Sequence, residues 1–168
     1  MARFLQANLN RSRPAQDLAL QYCVEEEVGV SVFSELHTVP NRPHWAGSTD
    51  SLCAVHWRPC SCPNLCRLIG AGKGFVAIKI GKWVVFSCYF SPNRDLAEFE
   101  RYLDSLGVAV RPHLPGAVIV AGDFNAKYPE WGSVRWDRRG RLLASWADSI
   151  NLAPLTFSRR TAPFGAQL

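Results

Sequence analysis

The stretch VIVAGDFN at 118–125 decides the reading of this chain. An apolar run over 117–121 predicts a buried strand. It breaks at Gly122, presents Asp123 at its C-terminal end and carries Asn125 two residues later, on the same side of an extended chain. VSVFSE at 30–35 repeats the design, a strand over 30–34 followed by Glu35. Strand ends are where sheet proteins present reactive groups, because the backbone fixes the side chain while the following loop admits substrate.

Working outward, Arg3–Asn8 is a short strand ending in polar residues, and Pro14 opens a helix. Ala15, Leu18 and Tyr22 mark one face of that helix, with the acids at 25–27 on another, and Gly29 ends it before the strand at 30–34. The region 40–72 is rich in Pro, Gly, Ser, Cys and Trp and weakly periodic, with a short strand at Cys53–Trp57. Phe75–Ile80 and 83–90 flank Gly81-Lys82, a connection of hairpin length. Asp95 with Glu98 forms a capping-box pattern, and Leu96, Phe99, Leu103, Leu106 and Val110 make a helical stripe. A last helix runs over 138–150, with Leu142, Leu143 and Trp146 on its apolar side. Strands alternating with helices and including a hairpin predict an α/β protein with a mixed or antiparallel sheet.

Composition narrows the classes. At 168 residues, 48% hydrophobic and 20% charged, the chain fits one packed domain. It holds no apolar run of membrane-spanning length, and MARFLQANLNRSR at 1–13 lacks the apolar core of a signal peptide. The expectation is a soluble intracellular protein. Of nineteen Lys and Arg, four are Lys (Lys73, Lys79, Lys82, Lys127), leaving fifteen Arg and a net charge of +5. Arg forks bind phosphates bidentately and stack on bases, so this bias points toward a nucleic-acid partner, beside the plainer reading of a soluble basic surface.

Two patterns lead elsewhere. His56, Cys60, Cys62 and Cys66 form H-x3-C-x-C-x3-C, but a C-x-C pair is a poor zinc chelate, and ordinary loop thiols are the favoured reading. Cys23 and Cys88 lie in apolar segments and read as small core residues. Gly70-Ala71-Gly72-Lys73 imitates part of a P-loop, yet position 67 is Arg, position 74 is Gly, and a strand follows.

Asn8, Glu35, Asp123 and Asn125 are four polar groups at three strand ends. Singly, an acid or amide there is commonly a solvated turn residue. Together, the carboxylates of Glu35 and Asp123 could bind a hard divalent cation such as Mg2+, with an amide orienting water or a phosphate oxygen.

LQANLN at 5–10, FSEL at 33–36, CYFSPN at 88–93 and GDFNAK at 122–127, in that order, resemble the endonuclease/exonuclease/phosphatase superfamily. GDFNAKYPEWGS at 122–133 with DRRGRLL at 137–143 resembles more narrowly the apurinic/apyrimidinic-like endonuclease domain of non-LTR (LINE-type) retrotransposons. The resemblance implies a four-layer α/β sandwich, two mixed sheets face to face with helices outside. It implies hydrolysis of a phosphodiester, with Mg2+ (or Mn2+) as cofactor and no small-molecule cofactor. Glu35 is then the main metal ligand with Asn8 beside it. Asp123 aligns or deprotonates the attacking water or handles the leaving-group proton, while Asn125 and Tyr89 hydrogen-bond the scissile phosphate or that water.

The implied partners are DNA and the other domains of a retrotransposon polyprotein, such as its reverse transcriptase, with no membrane. The implied place of action is intracellular, in the nucleus. Arg135, Arg138, Arg139 and Lys127 are candidate DNA contacts, with Arg141 nearby; a solvated helix start accounts for the arginines equally well. Trp131 and Trp136 either pack this loop or stack on bases. Family members continue with a strand bearing another Asp and a terminal Asp-His pair. No His follows His113 here, so residues 1–168 are expected to be one such domain lacking its C-terminal third. Two further readings stand beside the nuclease: a catalytically dead remnant that folds or binds nucleic acid, and a phosphatase of the same fold.

Overall fold

A computed structural model describes residues 3–60 and 66–155 of the chain. Its strands are β1 (Arg3–Asn8), β2 (Val28–Ser34), β3 (Trp45–Gly47), β4 (Cys53–Trp57), β5 (Cys66–Gly72), β6 (Phe75–Ile80), β7 (Trp83–Tyr89) and β8 (Ala117–Asp123). Its helices are α1 (Arg13–Glu25), α2 (Leu96–Val110) and α3 (Arg138–Ser149). Two mixed sheets result, ordered β1-β2-β4-β3 and β5-β6-β7-β8. β1 runs parallel to β2, and β7 parallel to β8; the other pairings are antiparallel.

Three apolar clusters set the layers. Val30, Val32 and Val55 of the first sheet meet Val76, Ile78 and Val85 of the second. Leu5, Ala7 and Phe33 meet Ala19 and Cys23 of α1 on the far side of the first sheet. Phe86 and Cys88 meet Phe99, Leu103 and Leu106 of α2 on the far side of the second, where Leu142 and Trp146 of α3 also pack. The order is α1, sheet, sheet, α2 with α3, the four-layer α/β sandwich that the resemblance implies. β2 is buried along its whole length because it is covered on both faces.

Several details differ from the sequence reading. α1 buries Gln16, Ala19 and Cys23, while Leu18 faces outward. The Gln16 amide explains the rotation: it donates to the Thr38 carbonyl and accepts from the His37 and Thr38 amides, which fastens that face to the loop after β2. Gly29 lies inside β2, and the chain reverses before it, at Glu27 with φ 52°. The region 40–72 contributes β3 and β5 as well as β4, because pairing with β4 and β6 supplies what local propensity lacks. β8 is half-buried instead of buried, since it pairs only with β7 among the described residues.

The local expectations for α2 and for the two core thiols are met. The capping box of α2 is formed on both sides, Glu98 N–H to the Asp95 carboxylate and Asp95 N–H to the Glu98 carboxylate. Cys23 and Cys88 are core thiols. Residues 70–72 belong to β5, which removes any P-loop. Of the His56 and Cys60/Cys62/Cys66 cluster, Cys62 lies outside the described residues; the His56 ring sits against Trp45, 4.6 Å between centroids. Among the described residues, no helix is long and apolar enough to cross a membrane.

Candidate active site

The parallel pairs bring four strand ends to one pole. In the first sheet Asn8 pairs with Ser34, and Glu35 follows directly. In the second Tyr89 pairs with Asp123. The sheets are bound together at this pole by polar contacts. The Gln6 amide donates to the Gly122 carbonyl and accepts from the Gly122 N–H, each at 3.1 Å. The Ser87 hydroxyl donates to the Phe33 carbonyl, and the Cys53 thiol to the Ser87 carbonyl.

Gln6 and Asn8 lie on the same side of β1, so one rung beyond the Gln6–Gly122 pair the Asn8 amide meets Asp123. Asn8 Nδ2 donates to Asp123 Oδ2 at 2.7 Å and approaches Glu35 Oε1 at 3.4 Å. Asn8 Oδ1 accepts from the Asn10 amide at 2.8 Å, which fixes the orientation of the side chain. The Tyr89 hydroxyl faces Glu35. Burial, then the neighbouring Glu35 carboxylate and the charge of Asp123, push the Tyr89 pKa well above its ordinary value, so the phenol stays protonated and can act as a donor.

Asn125 is held from two directions. Its backbone amide donates to Asp123 Oδ1 at 2.9 Å, and its side-chain amide donates to the Phe90 carbonyl at 3.0 Å. Glu35 and Asn125 share a left-handed backbone, φ 48° at each. Glu35 is kept there by its own amide donating to the Leu52 carbonyl and its carbonyl accepting from the Arg11 amide. Gly122, at φ 142°, lets β8 run against β7 where a Cβ would stand 1.9 Å from the Cys88 carbonyl oxygen.

Five residues singled out in the sequence, Asn8, Glu35, Tyr89, Asp123 and Asn125, thus form one cluster. Its two carboxylates share a neutral amide donor, and neither forms an ion pair with a described Lys, Arg or His. An oxygen-rich pair of this kind, open to a compensating charge, fits a hard divalent cation. The described residues hold no cluster of three or more His, Cys, Asp or Glu, so protein carboxylates would supply only part of such an ion's shell.

Residues 83–165, including Tyr89, Asp123 and Asn125, match the sequence model of the endonuclease-reverse transcriptase family. Over 94% of the chain, the fold superimposes on 74% of the endonuclease domain of TRAS1, a telomere-specific non-LTR retrotransposon, with TM-score 0.79 and 24% identity. No curated protein matches the sequence. The matched stretch is similar to a family of phosphodiester-hydrolysing nucleases, and the likeness to the TRAS1 domain extends the shared fold over β1 and β2, which carry Asn8 and lead to Glu35.

The basic residues are dispersed differently. Lys127 begins a loop that Asp137 closes: the Lys127 amide donates to Asp137 Oδ1, and the Asp137 amide to the Lys127 carbonyl. Asp137 also caps α3 through the Gly140 amide, and a Cβ at Gly140 would lie 1.9 Å from the Lys127 carbonyl oxygen. Lys127, Arg135 and Arg138 are exposed, and Arg141 lies over the Trp136 ring at 4.8 Å. Trp131 packs the loop, its indole N–H donating to the Ala126 carbonyl and its ring lying against Tyr128. Arg139 instead turns inward and donates to the carbonyls of Ser91, Pro92 and Arg94. Gln6 was the residue missed by sequence reasoning. The available signal was a long amide two positions before Asn8, on the same side of an otherwise apolar strand.

Proposed function

We propose that this chain is the DNA endonuclease domain of a retrotransposon, hydrolysing one phosphodiester to nick target DNA with the help of Mg2+ or Mn2+. The observation that carries the reading is the Asn8–Asp123–Glu35 contact across the two sheets, with the Tyr89 hydroxyl closing it from the second sheet. Glu35 would hold the metal ion with Asn8 beside it, and the ion would neutralise charge building on the phosphate. On this reading Asp123 accepts a proton from water or orients it, while the Asn8 and Asn125 amides fix its two oxygens. Tyr89, held as a phenol, donates a hydrogen bond toward the phosphate once substrate displaces its contact with Glu35. Lys127, Arg135 and Arg138 supply exposed positive charge for the DNA backbone. The remaining partners on this reading are the other domains of a polyprotein that includes a reverse transcriptase, acting inside the cell, in the nucleus.

Supercoiled plasmid is the test substrate. Nicking is expected with Mg2+, to cease with EDTA, and to fall by about 10²-fold or more in Glu35→Ala. Metal-independent nicking, or nicking unchanged in Glu35→Ala, would overturn the assignment. A folded protein that binds DNA and never cuts it would leave nucleic-acid binding as the function.

A further inference from the structure

We infer that Arg139 is a positioning residue for the candidate active site, setting the turn that follows β7, and that it takes a different part from the exposed Arg135 and Arg138. Its role in turnover rests on the nuclease reading above; its role in holding the turn does not. One guanidinium gathers three carbonyls of a single short turn: Nη1 donates to Ser91 O at 3.2 Å, and Nη2 to Pro92 O at 3.1 Å and to Arg94 O. Its planar face lies 5.2 Å from the Phe90 ring and 5.7 Å from the Phe99 ring. A guanidinium whose nitrogens are spent on carbonyls and whose face is spent on aromatic rings is poorly placed to present a fork to a phosphate.

The turn it holds borders the site. Phe90, just before it, donates its amide to the Asp123 carbonyl at 2.9 Å and accepts the Asn125 side-chain amide on its own carbonyl. Any shift of residues 91–94 therefore reaches Asn125 through one peptide and one hydrogen bond. Arg139 is itself fixed from the opposite side, because the Asp137 cap and the close approach of Gly140 to Lys127 seat the first turn of α3 on the loop that follows Asn125. Arg139 thus closes a ring from Asn125 through residues 127 and 137–140 back to residues 90–94. Lys cannot substitute for it, since one ammonium carries the charge without the fork that reaches three acceptors.

Arg139→Lys and Arg139→Gln test this in the full chain, by hydrogen exchange and by kinetics. Both variants are expected to stay folded and to lose protection at amides in residues 93–95 and 124–127, with other segments unchanged. Both should lower kcat of plasmid nicking by about 10²-fold while KM and the salt dependence of DNA affinity stay as in the parent. Rescue of nicking by Lys, or a salt slope reduced by about 0.9 with turn protection intact, would identify a phosphate contact and overturn the assignment. Unfolding of both variants would overturn it as well, by making Arg139 a residue of general stability. If the parent chain itself does not nick, the nuclease reading fails, while the exchange pattern still decides whether Arg139 holds the turn.

Discussion

Glu35 and Asn125 occupy left-handed backbone that side chains other than glycine adopt at a cost of about 1 kcal/mol or more each. Both are held there by hydrogen bonds, Glu35 with Leu52 and Arg11 and Asn125 with Phe90 and Asp123, and both stand at the pole that carries the carboxylates. Gly122 is the opposite case, a place where only the absence of a side chain permits the backbone. Gly122→Ala is expected to destabilise the fold by about 3 kcal/mol or more, because the added carbon meets the Cys88 carbonyl and neither strand can retreat without breaking its ladder. Urea denaturation measures it, and a loss under about 1 kcal/mol would show that the strands yield. The sequence marked Gly122 as a break before Asp123. It could not show that the glycine is needed for close approach to β7, since that neighbour is more than thirty residues away.

At the scale of elements, the β3–β4 hairpin contains a half-buried base. His56 lies opposite Trp45, and its Nδ1 is buried without a hydrogen-bond partner. Burial first, and then the positive neighbour Arg58 and His44, lower its pKa from 6.5 to about 4. Between those values the unfolded chain binds a proton that the folded chain excludes. This residue's penalty is therefore absent above pH about 6.5 and grows as pH falls toward 4. His56→Phe keeps the ring and removes the base, so the variant should gain in Tm over the parent, and gain more at pH about 5 than at pH about 7.5. An equal difference at the two pH values would show that His56 does not titrate this way. The hairpin was only half legible: Cys53–Trp57 shows as a strand, while its three-residue partner Trp45–Gly47 is too short for periodicity to reveal. The helix α2 was legible in full, because its capping box and apolar stripe are local patterns.

Across the whole molecule, the site exists only because two sheets meet. Asn8 and Glu35 come from one, Tyr89 and Asp123 from the other, and Gln6 bridges them by both hydrogen bonds to Gly122. Gln6→Leu leaves a part-buried N–H and carbonyl without this partner. It is expected to lower stability by about 1–3 kcal/mol and to reduce nicking as well, measured by denaturation and by the plasmid assay. Unchanged activity in a destabilised variant would mean that the sheets keep their spacing without it. The basic surface makes a long-range prediction of its own. Replacing Arg135 and Arg138 together by Ala should weaken DNA binding across sequences and reduce the salt slope by about 1 to 2, whereas an unchanged slope would leave them as solvated charges.

Strand runs ending in a carboxylate, the capping pattern of α2 and the ordered motifs are local, and from them the α/β class, the family resemblance and five residues that the fold gathers at one pole were legible in the sequence. Periodicity reports which face of an element is apolar, but not what lies across from it. Which face of α1 is buried, that β8 is half-buried, that Gln6 clasps the sheets and that Arg139 turns inward were decided only by tertiary structure. Each depends on a partner from a distant segment, and no local pattern encodes such a partner.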